Sequence, residues 1–386
     1  MPLPLQGVTV LDVTTNVAGP FATVILADLG AEVIKVEPPG GDDSRRMAPT
    51  VGDSSAFFLL LNRNKLSVRL DLKDETDRRA IDELLGRADV VVTNLLEPKR
   101  AVLGLDEAGV RARHPRIVYA DLSAFGPGPD EAARPGYDAV VQARAGLLSI
   151  NGAPGSEPSR VGVSILDMGS GIWLALGVLA ALRVRDAGGR GATVSTSLLE
   201  VAASWMSYHA VALQLTGANP ARTGSSHPAF SPYGVFETGD GQLMIGVGAD
   251  HLFRRLAGEL GVAGLADDPR FLTNELRVGH RAELQTELET ALAGRGAPWW
   301  SDRLAGAGIP VSVVNDTAGL LADAQLDRLG MWHEQPAGER EGTVRVPGLP
   351  LRLDGGRPPA RFPARPLGGD TDTVVASRRP AGGERD

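Results

Sequence analysis

The sequence predicts an α/β protein in which a large domain holds an open parallel sheet and a smaller domain is of the α+β class. Strand and helix patterns alternate through the first third of the chain, which is typical of a parallel sheet covered by helices. A hairpin pattern follows a later segment rich in Ser, Pro and Gly, which indicates a second folding unit. The length of 386 residues also exceeds the usual size of one core, so two domains are expected.

The elements of the large domain follow one another in a regular order. Val8–Val13 is a short β-rich run, and the helical spacing after it ends at Gly30, a natural stop. Further strands are predicted at Val33–Val36, Ser67–Leu72, Val90–Thr93, Ile117–Leu122 and Ala192–Ser197, and helices at Asp77–Arg87, Asp106–Arg113 and after Asp167. Strands separated by helices in this way favour a parallel sheet.

The domain boundaries are predicted from composition. Asp240-Gly241 lies between two strand patterns, which is a strong hairpin signal. A helix at Arg281–Ala293 and a strand at Ile309–Val314 complete the small unit, and Ser377–Asp386 is expected to fray. The predicted divisions are 1–215 for the N-terminal part of the large domain, 216–232 for a linker, 233–322 for the small domain and 323–386 for a return to the large domain.

Composition narrows the classes of function. A net charge of −8 without a Lys/Arg cluster argues against nucleic acid as a partner. The absence of cysteine excludes a thiol nucleophile and favours a cytoplasmic location. The six histidines form no close-spaced ligand pattern, so no metal is expected. We expect no secretory signal at M-P-L-P-L-Q-G and no membrane span, because the apolar run Gly169–Leu182 falls short of the ~20 residues required.

Nucleotide-binding motifs are weak in this sequence. The first strand–helix turn is T-T-N-V-A-G-P, which lacks the glycine pattern of a dinucleotide site. Glu37 ends the second strand where a ribose-binding acid would stand, but we interpret it as a solvated acid at the strand end. NAD or FAD binding is therefore not expected, and no permanently bound cofactor is predicted.

Asp167 is the strongest candidate for chemistry. It lies in V-S-I-L-D-M-G-S-G, where an apolar run begins a long helix. One interpretation is a helix N-cap, for which Asp is among the preferred residues. The other is a nucleophilic carboxylate, since a helix N-terminus stabilises an anion. Gly169 and Gly171 would then leave room for a substrate carbonyl, and backbone N–H groups there could hold an oxyanion.

A series of longer motifs gives the sequence a family resemblance. They include A-G-P-F-A-T-V-I-L-A-D-L-G-A-E-V-I-K-V-E-P-P-G-G-D, L-N-R-N-K-L-S-V-R-L-D-L-K, G-Y-D, G-V-S-I-L-D-M-G-S-G, and S-S-H-P-A-F-S-P-Y-G-V-F-E-T-G-D-G. In this order and spacing the chain resembles the family III CoA-transferases, also called the CaiB/BaiF family, which includes the α-methylacyl-CoA racemases.

The resemblance implies a Rossmann-like large domain built from both ends of the chain and an interlocked homodimer. It also implies that Asp167 attacks an acyl-CoA thioester, forming first a mixed anhydride and then an aspartyl-CoA thioester. The substrates would be an acyl-CoA and a small carboxylic acid. The coenzyme A contacts carried over are Val17, Ala18, Asn62, Arg63, Lys65, Asn94, Leu95, Leu96, Tyr137 and Asp138, with Ser225, Ser226 and His227 as a substrate loop and Gly169 as a backbone oxyanion donor.

Two departures from the family pattern bear on function. Many members have Arg where this chain has Leu96, so Lys99, Arg100 or Arg134 could replace it as a phosphate contact. Racemase members read G-H-D where this chain has Tyr137, and a tyrosine with a pKa near 10 is a poor base. The sequence therefore favours a transferase, with a racemase and a non-catalytic CoA-binding protein as alternatives.

Overall fold

The computed structural model describes residues 3–51, 54–128, 130–338 and 340–376. The chain divides into two compact units. The first comprises Met1–Leu147, Arg160–Val211 and Ala324–Asp386, and the second comprises Leu148–Ser159 and Ala212–Asp323. The predicted frayed end at Ser377–Asp386 lies outside the described residues.

The strands are β1 Thr9–Val13, β2 Glu32–Glu37, β3 Thr50–Val51, β4 Ser54–Ser55, β5 Lys65–Arg69, β6 Val90–Thr93, β7 Val118–Ser123, β8 Thr193–Ser197, β9 Tyr233–Glu237, β10 Gln242–Gly246, β11 Val311–Val313, β12 Trp332–Ala337 and β13 Arg340–Pro347. The helices are α1 Ala18–Asp28, α2 Ala56–Leu61, α3 Glu75–Leu85, α4 Glu97–Leu103, α5 Glu107–Arg113, α6 Asp138–Arg144, α7 Leu147–Ile150, α8 Ile165–Gly188, α9 Leu198–Trp205, α10 Ser207–Thr216, α11 Asp250–Glu259, α12 Asn274–Gly279, α13 Arg281–Leu292, α14 Ala297–Gly306, α15 Thr317–Leu321 and α16 Ala324–Arg328.

A six-stranded parallel sheet forms the centre of the first unit, as the sequence predicts. Its strand order is β5-β2-β1-β6-β7-β8, and each neighbouring pair is parallel. The chain winds outward from β1 in one direction and from β6 in the other. Connections therefore leave β1 and β6 toward opposite faces, and a crevice opens where their carboxyl ends meet. This edge of the sheet is the expected place for a ligand.

Apolar cores cover both faces of the sheet. Val10 and Leu11 are adjacent in β1, and neither is exposed to solvent. Val10 packs into the core beneath α1 and α8, whereas Leu11 packs into the core beneath α3. Burial of successive residues on opposite faces is the pattern of a strand in a sheet covered on both sides.

Helix α8 agrees closely with the helix predicted after Asp167. It extends over Ile165–Gly188, 24 residues, and ends at the R-D-A-G-G-R-G turn as expected. Among the described residues it alone has the length and composition to cross a membrane, and half of its most apolar window is buried inside the structure. Core helices of soluble proteins meet the same criterion, so the length and composition of α8 are weak evidence for a membrane span.

The second unit is built on an antiparallel sheet. Strands β9 and β10 form the hairpin predicted around Asp240-Gly241, and β11 pairs with β10 on its other side. The predicted divisions leave out residues 148–159, which group with this unit. A backbone hydrogen bond of 3.0 Å from Gly224 N to Gly152 O ties that segment to residues of the predicted linker.

Candidate active site

Two cavities open at the carboxyl edge of the parallel sheet. The larger cavity has a volume of about 630 Å³, and Ala18, Tyr137 and Asp167 are among its lining residues. The smaller cavity, of about 350 Å³, lies against the ends of β2 and β5 and is lined by residues that include Lys73. Thr15, Leu95 and Lys99 line both. Both cavities lie within the first unit, where the sheet topology predicts a ligand site.

Asp167 combines partial burial with access to the larger cavity. It is the third residue of α8 and is half-buried. Burial, and to a lesser extent the nearby charge of Asp138, together raise the pKa of its carboxyl group to about 7. At neutral pH both protonation states are therefore populated. The ionised state is poorly solvated, which favours attack on an electrophilic carbon.

Asp138, rather than Asp167, caps α8. One carboxylate oxygen of Asp138, Oδ2, accepts hydrogen bonds from Leu166 N at 2.7 Å and from Asp167 N at 3.1 Å. Its other oxygen accepts a hydrogen bond from the side chain of Gln142, and Gln142 Oε1 accepts one from Val161 N at 2.9 Å. The predicted capping role of Asp167 is therefore wrong. Its own carboxylate is left available because Asp138 occupies the free N–H groups of the first turn.

The glycines after Asp167 have a packing role. A side chain at Gly169 would place its Cβ 2.2 Å from the Trp205 ring, and one at Gly171 would place it 2.8 Å from Ala18 O. Gly169 is also the fifth residue of α8, and a backbone N–H at that depth is bonded within the helix. Gly169 is thus needed for close packing against Trp205, and an oxyanion contact from its backbone stays a prediction.

The structure gathers most of the other predicted ligand residues around the cavities. Tyr137 is 71% exposed and Leu96 is 39% exposed, so both side chains are accessible from the larger cavity. Asn94 instead turns to the backbone, accepting from Thr15 N at 2.9 Å and donating to Thr15 O at 2.8 Å. The predicted residues that line the larger cavity are Val17, Ala18, Asn94, Leu95, Leu96, Tyr137, Asp138 and Asp167.

Asn62, Arg63 and Lys65, which are predicted to contact coenzyme A, have partners inside the first unit. Their residues are 2%, 4% and 1% exposed, respectively. Arg63 forms an ion pair of 2.5 Å with Asp28, and Lys65 forms one of 3.0 Å with Asp12. Lys65 also donates to Asn62 Oδ1 at 3.2 Å. A buried charge needs such partners, so these side chains stabilise the fold, and their contact with coenzyme A stays a prediction.

Glu37 also differs from its sequence interpretation as a solvated acid. It has no exposure to solvent. Arg45 donates to both of its carboxylate oxygens at 2.7 Å, and Ser67 Oγ donates to Oε1 at 2.7 Å. Burial alone would raise the pKa of Glu37, but the hydrogen bonds and the charges of Arg45 and Lys35 hold it below its usual value.

The predicted substrate-loop residues lie in the second unit. Ser225 Oγ accepts a hydrogen bond from Val235 N at 2.9 Å, which fastens the loop to β9. The ring of His227 lies 4.7 Å from that of Phe230 and 5.4 Å from that of Tyr233, measured between centroids. Ser226 N donates to Thr223 O at 3.0 Å. A substrate contact from Ser225, Ser226 and His227 stays a prediction.

Comparison with known proteins decides the family. The sequence model of CoA-transferase family III matches residues 5–371. The chain belongs to CoA-transferase family III. It is accordingly an acyl-CoA:carboxylate CoA-transferase, and its substrates are CoA thioesters and carboxylic acids.

Relatives of this transferase match over most of its length. It is 37% identical to an acetyl-CoA:oxalate CoA-transferase of Acetobacter aceti, over 94% of this chain and 92% of that protein. It is 34% identical to a succinate–glutarate CoA-transferase of Agrobacterium fabrum, over 97% and 95% of the two chains. The crystal structure of a CaiB/BaiF family protein from Brucella suis is 31% identical, has a TM-score of 0.89 and covers 98% of this chain and 100% of its own.

Some residues at the cavities of the transferase were missed from sequence. Lys73 follows β5 and lines the smaller cavity, and Arg160 lines the larger one. Met47 and Phe57 add apolar surface to the larger cavity. Lys73 could have been found from its position just beyond a parallel strand, but the other three lie in loops or short helices that carry no such signal. Over the described residues, no cluster of His, Asp or Glu side chains could hold a metal ion.

Proposed function

We propose that Asp167 is the nucleophile of this CoA-transferase. Its ionised carboxylate attacks the carbonyl carbon of the donor thioester, the C–S bond breaks, and CoA leaves as its thiolate with a mixed anhydride left on Asp167. The thiolate then attacks the Asp167 carbonyl carbon, releasing the donor as a carboxylate and leaving an aspartyl-CoA thioester. A half-buried carboxylate with a raised pKa, facing a cavity of about 630 Å³, is the observation that supports this assignment.

The second half of the reaction reverses these steps with the acceptor. The acceptor carboxylate attacks the aspartyl-CoA thioester, which expels CoA thiolate and forms a new anhydride. The thiolate then attacks the acceptor's acyl carbon, so that the acceptor leaves as its CoA thioester and the Asp167 carboxylate is regenerated. Covalent storage on Asp167 lets one site serve both acids in turn, without water as the acyl acceptor.

Coenzyme A is proposed to occupy both cavities. Its nucleotide part suits the smaller cavity, where Lys73 and Lys99 supply positive charge, and its thioester arm suits the larger cavity beside Asp167. Lys99 lines both cavities, and over the described residues it forms no ion pair with a carboxylate. Arg100, by contrast, is paired with Asp121 at 2.5 Å. Many family members have an Arg at the position of Leu96. These contacts favour Lys99 over Arg100 as the phosphate contact that replaces this Arg.

The acceptor is proposed to be a small dicarboxylic acid. Relatives of the chain are named for oxalate, glutarate and mesaconate. Arg134 and Arg160 also line the larger cavity, where a guanidinium group could bind the carboxylate that does not react. Initial rates with dicarboxylic acids and with monocarboxylic acids of equal length test this choice, and equal kcat/KM values for the two classes would contradict it.

A cytoplasmic homodimer completes the proposal. On the outward side of α8, Ile172 is 54% exposed to solvent, Trp173 is 47% exposed and Leu176 is 53% exposed. Large apolar side chains grouped on one helix face are typical of a subunit interface. The cytoplasmic location is supported by the absence of cysteine from the sequence.

Trapping of the intermediate tests the mechanism. The enzyme is incubated with donor acyl-CoA and then with hydroxylamine or borohydride, and the modified peptide is located by mass spectrometry. We expect modification at Asp167 and none in the Asp167→Asn variant, which should retain CoA binding but no detectable CoA transfer. Modification at another residue, or full activity of the variant, would sink the assignment.

The racemase alternative makes a different prediction. A racemase exchanges the α-hydrogen of a 2-methylacyl-CoA with solvent and needs no acceptor acid. We expect no deuterium uptake at that carbon, because Tyr137 stands in the position of the racemase histidine and is largely exposed. Uptake from deuterated water without an acceptor would favour the racemase.

A further inference from the structure

In the short loop between β1 and α1, side chains form hydrogen bonds with most of the backbone N–H and C=O groups of Thr14–Asn16. Asp12 Oδ1 accepts from Thr14 N at 2.9 Å, and Lys35 Nζ donates to Thr14 O at 3.0 Å. Asn94 bonds both the N–H and the carbonyl of Thr15. Thr14 is buried and Thr15 and Asn16 are half-buried, so their backbone polar groups need partners within the protein.

Asn16 completes this arrangement. Its N–H donates to Asp42 Oδ1 at 3.3 Å. Its φ of 67° lies in the left-handed region, which is uncommon for residues other than glycine, although Asn tolerates it better than most. A residue in that conformation persists where its surroundings hold it, and here Asp42 supplies one such contact.

The groups that hold the loop are themselves fixed by buried charges. Lys35 and Asp42 form an ion pair of 2.7 Å, and both side chains are almost completely buried. Asp42 N in turn donates to Glu37 Oε2 at 3.0 Å. Burial alone would lower the pKa of Lys35, but the charges of Asp12 and Asp42 raise it above its usual value. Lys35 is therefore a buried cation that is kept charged by two carboxylates.

The loop also lies where the two cavities meet. Thr14 and Thr15 line the smaller cavity, while Thr15, Asn16 and Val17 line the larger one. A molecule that extends from one cavity into the other must pass this backbone. Displacement of the loop would alter both cavities together, whereas Asp167 is held separately by α8 and Asp138.

We propose that Lys35, Asp42 and Asn94 are positioning residues that fix Thr14–Asn16 as the wall common to both cavities and thereby set the affinity for the CoA thioester. The inference rests on the proposed function, because it assigns that wall to coenzyme A. Asp42 also lines the smaller cavity and Asn94 the larger one, but the proposed effect acts through the backbone groups that these side chains hold. They act by holding backbone groups in place before the ligand arrives, which lowers the ordering cost of binding.

Binding and kinetics of Asp42→Ala test the inference. The variant loses the acceptor for Asn16 N and leaves Lys35 without its closest counter-charge. We expect Kd for free CoA, measured by calorimetry, and KM for acyl-CoA to rise about tenfold or more, with kcat at saturation within about twofold of wild type. A purely structural defect would lower kcat through loss of active protein and leave Kd of the folded fraction unchanged.

Two further variants keep the test decisive. Asn94→Asp keeps the acceptor for Thr15 N but loses the donor to Thr15 O, and as a half-buried position it serves if Asp42→Ala does not fold. Arg185→Met is the control, because it removes another ion pair, a partly buried one with Asp89 at 2.7 Å, at the far end of α8. We expect the control to keep wild-type Kd and KM. Unchanged Kd and KM in folded Asp42→Ala or Asn94→Asp would overturn the inference.

The positioning role of these residues and the proposed mechanism at Asp167 can be tested separately. If the wild-type enzyme neither binds CoA nor forms an adduct at Asp167, the mechanism itself fails. If the wild type does both and the positioning variants bind CoA as tightly, only the role of Lys35, Asp42 and Asn94 is wrong.

Discussion

At the scale of the residue, two carboxylates at the N-terminus of α8 have different roles. Asp138 takes the free N–H groups of α8, so its own charge is stabilised by hydrogen bonds. Asp167, one turn into the same helix, receives no such bonds and has its pKa raised to about 7 by burial and by Asp138. The surroundings thus make one aspartate a structural cap and raise the pKa of the other, which is the proposed nucleophile.

The pH profile follows from this pair. Because only the ionised Asp167 attacks the thioester, kcat/KM for acyl-CoA should rise with pH through about 7 and then level. Asp138→Asn keeps an oxygen to accept from Leu166 N but removes the neighbouring charge. Burial, the larger cause, remains, so we expect the rise to move to lower pH by less than the full shift. An unmoved or higher midpoint in the variant would contradict the coupling.

At the scale of the element, the close approach of α1 and α8 positions the reactive end of α8. Gly171 allows it, since a Cβ there would lie 2.8 Å from Ala18 O and 3.0 Å from Ala22 N. Both are backbone atoms and cannot rotate away. The residues that begin α1, Val17 and Ala18, line the larger cavity with Asp167, so the spacing of these two helices contributes directly to the shape of the site.

Substitution of Gly171 tests this packing. Gly171→Ala should destabilise the protein by about 1–3 kcal/mol, because the added methyl group overpacks the helix contact. Gly188→Ala in the same helix is the matched control, since nothing lies within 4 Å of its Cβ position and alanine is the better helix former there. Urea unfolding of both variants gives the comparison. Equal free energies of unfolding would show that the contact tolerates a side chain.

At the scale of the whole molecule, the exposed apolar side of α8 is the feature that a lone chain leaves unexplained. Trp173 and Leu176 on that face are each about half exposed, although α8 is otherwise a core helix of the first unit. Removing such a surface from water is the main driving force of subunit association. The proposed homodimer accounts for it, and a monomer would be prone to aggregation.

Charge placed on this face should prevent dimer formation. We expect sedimentation or light scattering to give a dimer for the wild type and a monomer for Trp173→Glu with Leu176→Glu, because buried unpaired carboxylates oppose association. Val102→Glu introduces the same charge at a side chain that is 73% exposed on α4 and should leave the mass unchanged. A monomeric wild type, or a double variant that stays dimeric, would disprove the role of this face.

The parallel sheet could be predicted from short-range pattern, whereas its strand order was not. Strands such as Val90–Thr93 are continuous β-rich runs between turn signals. Such a run is typical of a strand that is buried on both faces of a parallel sheet. The carboxyl edge as the ligand edge followed from topology alone. Asp167 was identified as a candidate from its local motif alone, because that motif also contains the start of the helix that carries it.

Roles that depend on distant partners could not be foreseen in this way. Lys65 and Arg63 look like ligand-binding cations in sequence, but Asp12 and Asp28, far away along the chain, bury and neutralise them. Glu37 looks solvated until Arg45 and Ser67 are placed beside it. Whether a charged side chain is free or committed depends on three-dimensional neighbours that no local pattern encodes.

The sequence by itself determined the α/β class and the family motifs and pointed to Asp167 as the candidate nucleophile, since these depend on periodicity and on residues close together in the chain. Only the tertiary structure decided which carboxylate caps α8, which cations remain available to a ligand and which backbone loop forms the wall between the cavities. The physical reason is that the charge state and accessibility of a group depend on its solvation and on every partner within a few ångströms. Folding assembles that environment from residues such as Asp42 and Asn94, which lie far apart in the chain.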